Sequence, residues 1–381
     1  MKKQKKVQSP LLKRSEAETA KTKRISLIIS AVLVAVLFAA LAVVQKVTPD
    51  DSMLIPVLKK GVIYSLIAVS MNLLNGFTGL FSLGQAGFML IGAYTYAILT
   101  IPVENRANIY LYYNGGIVQF AIPFMLALVL AGVMAAIFAF LIGLPVLKLK
   151  SDYLAIATLG FAEIMRTVIQ YDKFGPLTNG SNLLRKFPTQ TNILFYFAVV
   201  AFCIAIIALL LRSTYGRAFK AIRDDEIAAE AMGINLAHHK RLAFVISSFF
   251  AGVGGALLAM YQGTIQAQTF KTSLTYEILL IVVIGGIGSL SGSVIGSFLY
   301  VACSEWWLRT LDSEHYIGSF KLPLMRSGFR MVVFSLVIMI VVLFFRRGIM
   351  GDKELSVYRI ISYFQNKKAL KAAKKEDEAN G

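Results

Sequence analysis

Long apolar runs separated by short polar stretches recur from about residue 25 to residue 345. The first, Ile25 to Val44, carries no charge over twenty residues. That is about the length a helix needs to cross a hydrocarbon core of about 30 Å. The pattern predicts helical segments at 25–44, 54–74, 83–101, 118–146, 153–170, 192–211, 243–262, 278–304 and 329–345. The basic start followed by an apolar run and Ala40-Leu41-Ala42 can also be read as a cleavable signal peptide. The run is longer than the roughly 7–15 residues of such a core, so an uncleaved first helix is the better reading.

Two places interrupt the pattern. The charge-free stretch 61–103 is too long for one helix, which requires a break near 75–82, inside Asn72–Tyr94 (NLLNGFTGLFSLGQAGFMLIGAY). Segment 278–304 contains Gly285-Gly286-Ile287-Gly288-Ser289-Leu290-Ser291-Gly292, a poor helix because glycine is costly in helix interiors.

Charge sets the sidedness. Residues 1–24 hold nine Lys/Arg against two Glu, and the tail 346–381 holds nine Lys/Arg, so both ends belong inside. Simple alternation also puts the basic stretches 147–152 and 212–241 inside, but nine crossings would leave the tail outside. Parity is restored if 278–304 breaks at its glycines and its two halves enter and leave on one side; 26 of the 39 Lys/Arg then lie inside. The expected fold is an all-α polytopic membrane protein of about eight full transmembrane helices plus a broken hairpin of two short helices, both termini cytoplasmic. It divides into a basic extension 1–24, a transmembrane domain 25–345 with a cytoplasmic coupling loop 212–241, and a tail 346–381. Glycines 288, 292 and 296 also fit the four-residue spacing of a close-packing helix face, which leaves hairpin and packing readings open for them.

Composition agrees with the bilayer. Of 381 residues, 57% are apolar and 16% charged, against roughly 45–50% and about 25% in soluble domains. The formal charge of +18 is concentrated at the ends and in one loop, which is how topology signals are distributed and speaks against nucleic-acid binding. Cys203 and Cys303 lie in apolar segments and suggest neither disulfide nor metal site.

Candidate chemistry sits near the breaks. Ser82, Gly84, Gln85, Gly87 and Tyr94 flank the first; substrate contact and interhelical hydrogen bonding both suit their polar groups. Gly285, Gly286 and Gly288 form the second, and broken helices in transporters border the permeation path. Glu163 falls near mid-membrane with Arg166 one turn later, an intramembrane pair that is either functional or a structural ion pair. In loop 212–241, Ala221, Ile222, Ile227, Ala228, Ala231 and Met232 make one face of a short helix. Asp224, Asp225, Glu226 and Glu230 lie largely on others, and Gly233 ends it. Such a helix suits docking into a partner's groove, or is a solvated connector. No Gly precedes a Lys, so no Walker A loop is present. No zinc-protease or serine-hydrolase motif appears either, and His238, His239 and His315 are expected in loops.

Three blocks resemble the permease subunits of branched-chain amino acid ABC transporters of the LivM-like type: 79–94 (GLFSLGQAGFMLIGAY), 151–168 (SDYLAIATLGFAEIMRTV) and 214–298, with RRGIMG at 346–351 similar to the family's ending. A departure is the loop at 178–183, Thr-Asn-Gly-Ser-Asn-Leu, where the family often has a Thr-Gly-Gly-x-x-Gly stretch. The resemblance implies a cell-membrane importer of Leu, Ile and Val. Its translocation path would be lined by the residues at the two breaks together with Glu163 and Arg166. Asp224, Asp225, Glu226, Ala229, Glu230 and Gly233 would face an ATPase. The implied partners are a second permease subunit, two cytoplasmic ATPases and an external solute-binding protein, with ATP used by the partners and no cofactor on this chain. Urea or amide permeases share much of the pattern. An ion-coupled transporter using Glu163, or a membrane enzyme, is the reading from another class.

Overall fold

The computed structural model describes residues 16–49, 52–149, 151–307, 316, 317, 320, 321, 336, 339, 348–351 and 354. Two units separate: Met1–Val44 with Leu355–Gly381, and Gln45–Glu354. In the first, the described part belongs to α1 (Glu16–Val47), whose Val32, Leu33, Val34, Val36 and Leu37 are all exposed. A helix apolar on every side suits lipid rather than water.

The second unit begins with α2 (Leu54–Asn72), which loosens into a π-turn at Leu73–Phe77. After an extended stretch come α3 (Gln85–Thr100), α4 (Val103–Ile109), α5 (Phe124–Val146), α6 (Ser151–Gln170) and α7 (Gly175–Thr178). Then follow α8 (Ile193–Arg212), α9 (Thr214–Asp224), α10 (Glu226–Ala231), α11 (Leu236–Gln262), α12 (Thr272–Gly285) and α13 (Leu290–Ala302). Strands are two residues long: β1 (Leu184–Arg185) pairs antiparallel with β2 (Thr264–Ile265), and β3 (Tyr316–Ile317) with β4 (Phe320–Lys321). Among the described residues four helices are long and apolar enough to cross a membrane, or up to six spans if each of two bent pairs counts as one. The chain is an all-α multi-pass membrane protein. Helix α6 has the length of a span but carries Asp152, Glu163 and Arg166.

Helices α2 and α11 form the centre. Every residue from Gly61 to Asn72 is buried, and the apolar window of α11 is 78% buried against 33% for α5 and α8. Helix α11 packs on α5, α3 and α2, while α2 also meets α13, α12 and α8. Glycine permits the closest approaches. A Cβ on Gly255 would lie 2.0 Å from the Met89 carbonyl oxygen, and one on Gly92 2.1 Å from that of Gly252, so α3 and α11 touch backbone to backbone.

The two ends of the bundle differ. Helix α11 is about 40 Å long at 1.5 Å per residue; its first turn adjoins α10 and its end leads into β2. We refer to the α9–α10 end as the loop face and the β1–β2 end as the cap face. On the cap face, buried Arg106 donates through Nη2 to the carbonyls of Ile98 and Phe120, both at 2.8 Å. There Ile117 N–H also donates to Pro176 O at 2.9 Å. The Tyr113 phenol is pushed up from its ordinary value by burial and by the hydrogen bond it donates to Asp172.

Several boundaries differ from expectation. Helix α5 starts at Phe124 because Pro123 precedes it, rather than at 118. Helix α11 starts at Leu236, where Asn235 accepts from His238 N–H at 3.0 Å. His238 and His239 therefore lie in its first turn, not in a loop, and His315 lies outside the described residues. So does segment 329–345, apart from helical Leu336 and Met339.

Candidate functional site

The first break falls at 73–84, as the charge-free length required. Its freed backbone groups are taken up by side chains from neighbouring helices, the condition for non-helical chain at membrane depth. Asn75 and Ser82 exchange bonds: Ser82 N–H donates to Asn75 Oδ1 at 3.1 Å, and Asn75 Nδ2 to Ser82 O at 3.3 Å. Leu83 N–H donates to Thr158 Oγ1 of α6 at 3.0 Å, and Ala86 N–H to Thr275 Oγ1 of α12 at 3.2 Å. Gln85 donates through Nε2 to Ser70 Oγ at 2.6 Å. Ser82, Gln85 and Tyr94 are 3%, 3% and 2% exposed. Ser82 is bonded within the break, to Asn75 and through Oγ to Gly84 N–H, while Gln85 ties α3 to α2, and Tyr94 sits further along α3 beside the Ala267 backbone. Gly84 and Gly87 let α3 lie against α6, where added Cβ atoms would meet Thr158 O at 3.0 Å and Ala162 Cα at 2.7 Å.

The second break falls at 286–289, where α12 and α13 meet at a 120° bend. Gly286 (φ 120°) and Gly288 (φ 87°) take backbone conformations that favour glycine. Gly285 faces Gly292, whose carbonyl oxygen would lie 2.3 Å from a Cβ on Gly285, and Gly296 packs on the same surface. The four-residue spacing is thus divided: Gly292 and Gly296 close the hairpin, while Gly288 turns it. Gly285, Gly286 and Gly288 are buried.

Glu163 and Arg166 do form a pair. Arg166 Nε donates to both Glu163 oxygens at 3.1 Å, and Nη2 also contacts Oε1. Arg166 Nη1 donates to Gln170 Oε1 at 3.2 Å. The Glu163 side chain is 47% exposed, against 16% for Arg166. One exposed stripe of α6 runs through Tyr153, Ile156, Gly160, Glu163 and Ile164, and a Cβ on Gly160 would meet nothing within 4 Å.

The loop helix expected as one piece is two. Helix α9 ends at Asp224, and Asp225 restarts the chain as a cap, its Oδ1 accepting from Ile227 N–H at 2.9 Å and Ala228 N–H at 3.0 Å. Ile222 and Ala229 are buried, so Ala229 is not on the surface offered to a partner. Ile227 and Met232 are each 82% exposed, with Asp224, Asp225, Glu226 and Glu230 exposed around them. Gly233 (φ 84°) ends α10: its N–H donates to Glu230 O at 2.9 Å, and Ile234 N–H to Ala229 O at 3.1 Å, the paired bonds of a glycine-capped helix end. Lys240 of α11 bridges to Glu226 at 2.6 Å and anchors α10.

Sequence reasoning passed over one ionic cluster. Lys60 of α2 bridges to Glu305 at 2.5 Å, and the rings of Tyr64 and Tyr300 stack at 6.4 Å beside it, with Glu277 adjacent. The signal was present, since Lys59 and Lys60 interrupt segment 54–74 and Glu277 stands immediately before 278. Among the described residues no three His, Cys, Asp or Glu side chains converge as metal ligands would.

A multi-pass helical protein with two broken helices, a half-exposed ion pair and a structured loop between spans belongs to the class of membrane permeases. The family model described as "Branched-chain amino acid transport system / permease component" matches residues 53–345, and the chain belongs to that family. It is 34% identical over 277 residues to the high-affinity branched-chain amino acid transport system permease protein LivM of Escherichia coli, covering 64% of this chain and 61% of the relative. It is 25% identical over 309 residues to the E. coli permease protein LivH, covering 77% and 93%. Against the probable LivM of Methanocaldococcus jannaschii it is 25% identical over 270 residues, covering 63% and 76%. The chain thus spans about three fifths of the length of E. coli LivM. No solved structure matches it.

Proposed function

We propose that the chain is a membrane-spanning permease subunit of an ABC importer that moves Leu, Ile and Val into the cell. The observation that carries this reading is family membership over 53–345. The exposed α9–α10 loop adds to it, because Ile227 and Met232 set in an acidic surround make a small apolar knob for a partner's groove. In this reading the loop face is cytoplasmic and meets an ATPase through Asp224, Asp225, Glu226, Glu230 and Gly233. Two ATPases hydrolyse the ATP, a second permease subunit pairs with this one, and an external protein delivers the solute to the cap face. Eight full crossings plus the α12–α13 hairpin, with both termini cytoplasmic, complete the topology. The hairpin enters from the cap face, since α12 starts beside η-turn residues 267–270 there and α13 returns to Glu305 near the start of α2.

The α6 stripe has a physical reason to meet the second permease subunit or a watery path. Glu163 at 47% exposure would otherwise face hydrocarbon, where a charged side chain costs about 2.5–3.5 kcal/mol even by insertion scales. The test is uptake of radiolabelled leucine, isoleucine, valine and urea by cells with and without this gene. Loss of branched-chain uptake alone is expected. Lost urea uptake with unchanged branched-chain uptake moves the assignment to the urea and amide permeases, and uptake that survives deletion of the ATPases moves it to an ion-coupled carrier.

A further inference from the structure

The two broken helices, the loop helix and the C-terminal segment converge at one point on the loop face. Asn72, fully buried at the end of α2, directs its whole amide at the hairpin turn. Its Nδ2 lies within donor range of Ser293 Oγ at 2.7 Å, Ser289 O at 2.9 Å and Gly286 O at 3.3 Å, and its Oδ1 accepts from Gly288 N–H at 2.8 Å. The π-turn starts at the next residue, and its Gly76 fits between the two partners. A Cβ there would lie 1.9 Å from Asn72 Oδ1 and 2.5 Å from Gly288 N. Gly76 O in turn accepts from Arg223 Nη1 of α9 at 3.2 Å, and Gly79 packs on the Arg223 side chain. From the other side, Ile349 N–H donates to Ile284 O at 2.8 Å and Met350 N–H to Gly285 O at 3.2 Å. The Glu354 carboxylate accepts from Leu290 N–H at 2.6 Å, Ser291 N–H at 3.1 Å and Ser291 Oγ at 2.9 Å. A negative carboxylate on the first-turn N–H groups of α13 is the favourable sign for that end of a helix.

We propose that Asn72 and Glu354 are positioning residues for transport, joining α9 to the α12–α13 hairpin so that displacement of the loop by a partner moves the hairpin. The chain of contact is continuous: Arg223 to the π-turn at Gly76, the π-turn to Asn72 and Gly288, and Glu354 clamping the far side of the same turn. Asn72 suits this role because one planar amide both donates and accepts, so the turn cannot shift without losing buried bonds, and each buried group left unpaired is costly. Packed elements of this kind move as units rather than deform. The inference rests on the permease reading, and two measurements separate the failure of one from that of the other.

In vesicles holding this chain alone, Ile287→Cys at the hairpin tip, where the native side chain is 50% exposed, is labelled with a maleimide in a background lacking Cys203 and Cys303. Asn72→Ala and Glu354→Gln should each speed labelling about tenfold, the scale of one unpaired buried group; an unchanged rate in both overturns the inference whatever solute is carried. In proteoliposomes with the complete transporter, both variants should hydrolyse ATP at the wild-type rate while moving about tenfold less leucine per ATP, with KM for leucine unchanged. Wild-type yield of leucine per ATP in both variants, or equal loss of hydrolysis and transport in Glu354→Gln, also overturns it. A wild-type transporter that hydrolyses ATP but moves no leucine counts against the permease reading, and the labelling result then decides the inference alone.

Discussion

Replacing Gly255 by alanine tests whether α3 and α11 share a backbone contact. The new Cβ would lie 2.0 Å from Met89 O and 2.7 Å from its carbonyl carbon. Real Cβ atoms essentially never come closer than 3.0 Å, so the helices must separate by at least 3.0 − 2.0 = 1.0 Å. Helix α3 cannot simply retreat, because Gly84 and Gly87 already hold it against Thr158 and Ala162 of α6. The obstructing atoms are backbone, which places the cost at the upper part of the roughly 1–3 kcal/mol range for overpacking. Alanine returns about 1 kcal/mol of helix propensity, leaving a net loss of about 2 kcal/mol. For a chain of 381 residues, with about 2.1 cal/mol/K of unfolding entropy per residue, that lowers the midpoint by about 2–3 °C. The assay is thermal unfolding of the detergent-solubilised protein followed by near-ultraviolet circular dichroism. Gly160→Ala is the matched control, since nothing stands within 4 Å of its Cβ, and it should melt at or slightly above wild type. Equal midpoints for Gly255→Ala and Gly160→Ala would refute the backbone contact.

Gly233→Ala meets no neighbour but must hold φ near 84°, a strain of about 1–2 kcal/mol; membrane levels should stay normal while leucine uptake falls, and normal uptake would detach α10 from coupling. Single cysteines placed at Gly180 and Asp225, in a background without Cys203 and Cys303, should react with an impermeant maleimide from outside and inside respectively; labelling of both from outside contradicts the assigned sidedness. Glu163→Gln removes the carboxylate that holds Arg166, leaving a mostly buried cation without its counter-charge, and should reduce transport more than the paired change Glu163→Gln with Arg166→Gln. If the single and double variants behave alike, the pair has no coupled role.

Both breaks were legible in the sequence because length and charge parity demanded them, and glycine marked where helix is weakest. What holds them was not. Asn72 reads as one polar residue at the end of an apolar segment, and its partners lie more than 210 positions away. Periodicity assigned Ile222 and Ile227 to one face, yet Asp225 caps a new helix between them, so one is buried and the other exposed. A cap and a charged face residue look the same in sequence, since both are an acid before an apolar run. Lys60 escaped notice for the complementary reason. Lys59 and Lys60 in the first third of segment 54–74 read as a pair near a membrane boundary, and only folding brings Glu305 from 245 positions away to pair with Lys60.

The arrangement of polar groups also constrains where a solute can pass. Ser82, Gln85, Gly285, Gly286 and Gly288, which the breaks suggested as lining, are buried and packed against α2, α6, α12 and α13. A solute threading between α2 and α3 would have to part the Gln85–Ser70 bond and the Asn75–Ser82 bonds of the break that joins them, leaving several buried groups unpaired at once. A polar feature that is accessible is the Glu163–Arg166 pair, on an exposed stripe opened further by Gly160. Under the proposed importer reading, the breaks serve as packed wall, and the outer face of α6, with an anion and a cation one helical turn apart, is the surface proposed to meet a zwitterion. In the proposed transporter the second permease subunit would supply the wall opposite α6, which gives that part of the proposal its physical content.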